Sequence, residues 1–448
     1  MTDRTLMLRI FALALSVRWG IALILNLVMG NDGLFGMDSR GYFGWISEHV
    51  ERLLQGQVSG WHWLGPNSSL LPLPSLLWTL NGILFGEHAA LSSVLCQGAL
   101  DSCTCVLISR IAHEIDPRLV PFAGICAACN PTQIVMANLY YNDSIFLFFF
   151  AASLLGAVRW LKQPSWSSAL LIGIGLGSAL LCRVVIAPWA LLMLVYFFAV
   201  MALRRSVRLE HAIKLTVATM IVGLSASLLV GRNYSETGNW ALTTQTGAHT
   251  AYWVVPLVMQ AKDGIPWERG SQEMARRFTE RYGPEGDNRA VNSEHLSELA
   301  GEALSELGPA AITKAWLIGA AMNLGSPVSA IFPPLAQLPR TGFFGTPGES
   351  FSERVINFLF HSDNAVFAWS ILGGIVGLVA IRVIQLFGAI TLLAQKRTRA
   401  FTLLMMGWIM YVLLISGPVG SPKYRLPIEP VLVVFAAAGW IALRRRQS

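Results

Sequence analysis

The sequence predicts an all-α polytopic membrane protein, and three observations carry that prediction. Of 448 residues, 54% are hydrophobic and only 13% are charged, about half the roughly 25% charge of a soluble domain. Apolar segments approaching the roughly 20 residues that cross a bilayer core as a helix recur along the chain. Lys and Arg gather in short loops between those segments, as orientation signals do. The net charge of +7 is therefore topological, and no nucleic-acid partner is expected. The first apolar run is too long for the core of a signal peptide and leads into a polar-aromatic loop, so no cleavable leader is expected.

Placing Arg4, Arg9 and the basic stretches 110–118, 159–162, 204–214, 396–399 and 444–446 on the cytoplasmic side gives a consistent zigzag. Spans fall near 10–30, 89–109, 119–138, 144–160, 167–182, 185–203 and 212–230, then near 365–385, 400–416 and 428–443. Segment 383–394 reads as an extension of the helix before it. The apolar stretches 70–86 and 312–332 break the alternation of sides. They read as interfacial or re-entrant helices on the outer face, or together as a compensating pair of crossings, so the expected total is about 10–12. Three regions follow: an N-terminal transmembrane half, 1–230, with its first outer loop at 31–88; a large outer loop, 231–364; and C-terminal helices, 365–448. Within the large loop, 262–307 is charged and reads as a small helical cap, with Asn292 as the N-cap of its second helix. The six cysteines lie in apolar segments without a nearby histidine and read as small filler.

Given this orientation, several charges sit at the outer membrane edge against the usual bias: Arg40, Arg183, Arg232, Lys423 and Arg425. Cations at that depth suit a membrane-embedded phosphate, which Arg grips through a bidentate fork; snorkelling to lipid headgroups is the plainer alternative. Asp38, in "GMDSRGYFGW", and Asp143, in "NLYYNDSIFLFFF", share the edge. Two acids there suit acid–base work or a divalent ion, whereas helix capping is the structural alternative for each. His62, between tryptophans, reads first as an interfacial anchor and second as a substrate contact, while Tyr42 and Trp45 read as anchors of an amphipathic helix. Deeper in the membrane, Arg18 and Asp101 fall at similar depth and are expected to pair.

The chain resembles the GT-C class of polytopic glycosyltransferases, and within it the family 39-like group of protein O-mannosyltransferases and the lipid A aminoarabinose transferase. The resemblance rests on an ordered set of segments: "MDSRGYFGWISEHVERLLQGQ", "NPTQIVMANLYYNDSIFLFF", "GLGSALLCRVVIAPWALL", "GRNYSETGNWALTTQTGAHTAYW" and "KYRLPIEPVLVVFAAAGW". It implies inverting transfer of a sugar from a polyprenyl-phosphate donor to an envelope lipid, glycan or protein hydroxyl. The site would lie on the extracytoplasmic face of a membrane, for a bacterium the inner membrane. It further implies Asp38 as general base and Asp143 as its assistant, with Arg232, Lys423 and Arg425 on the donor phosphate and Arg183 and Arg40 behind them. Substrate-contact candidates are Tyr42, His62, Tyr141, Asn142, Asn233 and Tyr424. The class admits a divalent metal, with Asp143 as its ligand here if one is bound, but no dense ligand motif demands it and no cofactor is expected with certainty. The sequence lacks a second acid beside Asp38, which weakens a protein acceptor. A transporter or flippase of a lipid-linked sugar is the rival reading, disfavoured because no inverted repeat is visible.

Overall fold

The structure, a computed structural model, describes residues 3–205, 208–339, 341 and 343–447. Two positions of the basic stretch 204–214, Ser206 and Val207, lie outside the described residues. In chain order the α-helices are α1 (Asp3–Met29), α2 (Ser39–Leu54), α3 (Pro72–Phe85), α4 (Ala89–Ile115), α5 (Val120–Ala128), α6 (Pro131–Ala137) and α7 (Asp143–Lys162). Next come α8 (Trp166–Leu180), α9 (Ile186–Leu203), α10 (Leu209–Thr237), α11 (Thr246–His249), α12 (Val255–Asp263), α13 (Trp267–Tyr282) and α14 (Arg289–Leu307). The last are α15 (Pro309–Gly325), α16 (Pro333–Ala336), α17 (Phe351–Phe360), α18 (Ala365–Ala394), α19 (Arg399–Ser416), α20 (Pro422–Arg425) and α21 (Glu429–Gln447). No strand occurs among the described residues.

Among these residues, eight helical runs are long and apolar enough to cross a membrane, and nine if the bent pair α5–α6 is one crossing; α8 is apolar but shorter. Each of the ten expected spans coincides with one of these. This is a multi-pass membrane protein. Segment 383–394 does continue α18. The two problem stretches are also accounted for. Trp78 Nε1 donates to Gln97 Oε1 at 2.9 Å and Asn81 meets Cys96, so α3 doubles back along α4. At 17 residues, α15 is about 26 Å long at 1.5 Å per residue, short of the roughly 30 Å core.

The bend between α5 and α6 shows why Arg18 and Asp101 are buried in apolar spans. Pro131 has no N–H, so the helix breaks by 48° and leaves carbonyls open, which hydrocarbon cannot satisfy. Arg18 donates to the carbonyls of Ala127 and Ala128, while its Nε meets Asp101 Oδ2 at 2.6 Å with both side chains fully buried. The expected pair is present, and the break explains its place. Farther along, α18 and α21 cross where Gly388 and Gly439 face each other's backbone, a contact that no side chain could enter.

Over one end of the helical bundle, α11 to α14 form a cap around a small core of their own, including Val255, Met274, Phe278, Leu296 and Ala300. Arg277 and Arg281 tie α13 to Glu306, Glu298 and Glu302 of α14. One expectation fails here. Asn288, not Asn292, caps α14 by accepting from the N–H groups of Ala290 and Val291. Asn292 instead bonds both backbone groups of Gly286, because the Gly-rich turn lets the helix start four residues earlier.

Candidate active site

A cavity of about 1110 Å³ lies between one end of the spans and the cap. Its floor carries Asp38, Tyr42, Tyr141, Arg183, Lys423 and Tyr424, with Arg40 at the edge. His249, Tyr252, Glu285 and Arg289 line it from the cap, and Ser69 from the first outer loop.

Asp38 stands at the N-terminus of α2, where the capping alternative predicts a bond to the helix N–H groups. It makes none. Its Oδ2 accepts from Lys423 Nζ at 2.7 Å, across 385 residues of sequence. The carboxylate is 48% exposed, while the lysine, at 17%, rests 4.2 Å above the Tyr141 ring. A buried column of rings steadies this corner: Trp78 stacks on Tyr140 at 4.4 Å and on Tyr42 at 6.0 Å. Tyr42 is therefore a part of the packing rather than an interfacial anchor, and burial pushes its phenol up to about 12. Gly36 is obligatory for the same corner, since a Cβ there would overlap the Tyr141 hydroxyl.

Asp143 does not line the cavity. It is fully buried, and its Oδ1 accepts from Arg183 Nη1 at 2.6 Å; Arg183 in turn lies 5.8 Å from the Phe146 ring and opens to the cavity. Its other oxygen has no partner among the described residues. The adjacent Asn142 donates to the carbonyl of Cys182, so it fixes the turn that carries Arg183 rather than facing the cavity. Neither residue caps α7 with its side chain.

Two of the cations expected on a phosphate are elsewhere. Arg425 is 1% exposed and spent internally, on Glu429 at 2.8 Å, the carbonyls of Asn323 and Ser326, and the Thr132 hydroxyl. It anchors the turn that presents Lys423. Arg232 is fully buried and donates to the carbonyls of Leu70 and Ser68, which bracket the cavity residue Ser69. Asn233 donates to the carbonyl of Ala241. Neither Arg232, Asn233 nor His62 lines the cavity; His62 stands 3.9 Å from Glu236. Arg40 meets Asp32 at 2.9 Å in an exposed pair.

The cap residues escaped sequence reasoning. His249 sits in "TGAHTAYW" at the start of a π-helical turn, Thr250–Val254, a local irregularity that helices often show at functional sites. Burial first, then the nearby Arg183, holds its imidazole below the ordinary 6.5, so it faces the cavity uncharged at neutral pH. Arg289 lies in "GDNRA", which reads simply as a solvated turn.

No three metal-ligating side chains converge among the described residues. One Asp143 oxygen accepts from Arg183 and Asp38 Oδ2 accepts from Lys423, so each carboxylate keeps one oxygen outside these pairs.

Residues 71–229 match the family of dolichyl-phosphate-mannose-protein mannosyltransferases. No curated protein matches the sequence. Among solved structures, the chain is similar to the Archaeoglobus fulgidus oligosaccharyltransferase tethered with an acceptor peptide containing the NVT sequon, at 13% identity and a TM-score of 0.51. That match covers 99% of this chain and 49% of the other, so the chain spans about half the length of the oligosaccharyltransferase. A second similarity, at 15% identity and a TM-score of 0.40, is to ArnT from Cupriavidus metallidurans bound to undecaprenyl phosphate, over 99% of this chain and 79% of that one. By its fold, then, this chain is similar to the GT-C glycosyltransferases, as the ordered motifs imply.

Proposed function

We propose that this protein is an inverting glycosyltransferase that moves a sugar from a polyprenyl-phosphate donor to a hydroxyl of an envelope acceptor. The reaction would occur at the extracytoplasmic face, on a bacterial inner membrane. The single observation that carries the reading is the Asp38–Lys423 pair at the cavity floor: an open carboxylate beside a cation held on an aromatic ring, with Arg183 in the same wall.

The chemistry follows from that pairing. The acceptor oxygen attacks the anomeric carbon as the bond from that carbon to the phosphate oxygen breaks, its electron pair leaving with the phosphate. The acceptor's proton passes to Asp38. A single displacement from the face opposite the phosphate inverts the anomeric centre. Lys423 and Arg183 meet the charge that grows on the phosphate, which is where fixed cations contribute most. In the resting site Lys423 neutralises Asp38, so an arriving phosphate competes for the ammonium and uncovers the base. Asp143 is a positioning residue that holds Arg183, and Arg425 and Arg232 position Lys423 and the Ser69 wall. No step is routed through a metal.

Transfer by the purified protein, with a radiolabelled polyprenyl-phosphate sugar and envelope extract as acceptor, tests this reading. Asp38→Asn should abolish transfer while preserving folding and undecaprenyl-phosphate binding. Full turnover by that variant would remove Asp38 as the base.

A further inference from the structure

The cations around the cavity are unequally committed. Lys423 is paired with Asp38, Arg183 with Asp143 and Arg40 with Asp32. Arg289, at the start of α14, has no carboxylate partner among the described residues. Its guanidinium carbon lies 5.6 Å from the centre of the Trp45 ring, and Nη1 donates to the Ser69 hydroxyl at 2.6 Å. One N–H is thus used and the ring steadies the group, while the rest of its five donors meet no acceptor among the described residues. Stacking on an aromatic ring restrains a long side chain, which lowers the entropy lost when it grips a ligand.

The surroundings of Arg289 make it part of the cavity wall rather than a stray surface charge. Ser69 is fixed from three sides: Gln245 donates to its carbonyl at 3.1 Å, and Arg232 holds the carbonyls before and after it. Trp45 belongs to α2, the helix that begins beside Asp38. A ligand reaching from Asp38 toward the cap therefore meets Arg289 on the way out. The one lining carboxylate on the cap side, Glu285, is engaged by the Tyr252 hydroxyl at 2.7 Å.

We propose that Arg289 binds an oxyanion carried by the acceptor, so that the acceptor is an anionic envelope molecule whose phosphate or carboxylate docks on the cap while its hydroxyl lies at Asp38. This rests on the glycosyltransferase reading above. It separates two phosphate-type sites in one cavity: the donor's, at Lys423 and Arg183, and the acceptor's, at Arg289.

The test uses the full chain in detergent, saturated with undecaprenyl phosphate so that the donor site is filled, and titrated with inorganic phosphate or acetate. A second anion site is expected, with Arg289→Gln weakening it at least about tenfold, the loss typical of one charge-assisted contact. Ser69→Ala removes the Arg289–Ser69 tie but leaves the charge, and should keep most of the affinity. Preference for phosphate identifies a phosphoryl group on the acceptor, and preference for acetate a carboxylate. If Arg289→Gln binds the anion as the wild type does, or Ser69→Ala loses as much as Arg289→Gln, the proposal is overturned and Arg289 is only a structural tie. Failure of undecaprenyl phosphate itself to bind would instead count against the proposed function.

Discussion

Lys423 and Arg425 stand two residues apart and look equivalent as outer-edge cations in the sequence, yet they meet different partners and have different duties in the proposed function, and replacing each by Met should separate those duties. Lys423 is bonded to one carboxylate, Asp38, which is 48% exposed. Losing a pair with one partner half exposed should cost less stability than breaking a fully buried one. Its contribution to the reaction should be larger, since removing one fixed donor from a developing negative charge typically costs about 2.7–4 kcal/mol, or about 10²–10³ in kcat. Arg425 reverses the balance. Its removal leaves Glu429, 4% exposed, without its cation, and strips the carbonyls of Asn323 and Ser326 of a donor. Breaking such a buried pair costs about 3–5 kcal/mol. The assay pairs thermal unfolding in detergent with turnover per folded molecule. Lys423→Met should fold and fail to turn over; Arg425→Met should unfold early, while its folded fraction, with Lys423 present but less well positioned, keeps part of its activity. A Lys423→Met enzyme within threefold of wild-type kcat, or an Arg425→Met enzyme that is stable but inactive, would refute this division.

Other perturbations follow from the same contacts. Arg18→Leu should destabilise the protein by about 3–5 kcal/mol, because it strands Asp101 in the membrane and opens the carbonyls at the α5–α6 break. The exchange Arg18→Asp with Asp101→Arg should recover only part of that loss in thermal unfolding; no loss in Arg18→Leu would contradict the assignment. Gly36→Ala should lower turnover by pushing Tyr141 from beneath Lys423, an overpacking of about 1–3 kcal/mol. Gly41→Ala, with open space around it, should be silent by the same assay. In the cap, hydrogen bonds from Arg276 and Arg277 hold Glu273 down at about 2 from its ordinary 4.5. A lowered carboxylate stabilises the fold above its unfolded value, and that contribution is lost as pH falls from about 4.5 through 2. The protection of α13 amides, measured against their intrinsic exchange rate at each pH, should therefore fall over that window, and Glu273→Gln should flatten the change.

Properties that depend on segment length and local charge were legible in the sequence; those that depend on distant chain returning to a site were not. Apolar runs of bilayer length identify the spans, and two opposite charges at one depth identify Arg18 and Asp101. Asp38 stood out because it follows a span directly. Its partner, 385 residues away, could be grouped with it by side of the membrane but not chosen from among five cations. Arg425 and Arg232 were misassigned for a definite reason. A sequence shows a cation at the outer end of a span, but it does not show the carbonyls of Asn323, Ser326, Ser68 and Leu70 turning to meet it. The cap side of the cavity was missed because His249 and Arg289 sit in stretches whose composition suits any exposed turn.

The two aspartates illustrate how surroundings, rather than residue type, divide labour in such a site. Both stand at a helix start and both bond a cation, at 2.7 and 2.6 Å. Asp143 is sealed, so its charge is permanently offset by Arg183 and no acceptor oxygen can approach it. Asp38 is half open, and its cation rests on the Tyr141 ring within the field of Asp143 as well. On the proposed function a phosphate would draw that lysine from Asp38 at less cost than from a buried partner, because the exposed carboxylate is rehydrated as it is released. The pair at Asp143 would leave a bare charge in a buried pocket if it opened, which is expensive. On the proposed function, base activity would therefore be gated at Asp38 by the arrival of the donor, and the arginine at Asp143 would be fixed in advance where the phosphate is to bind.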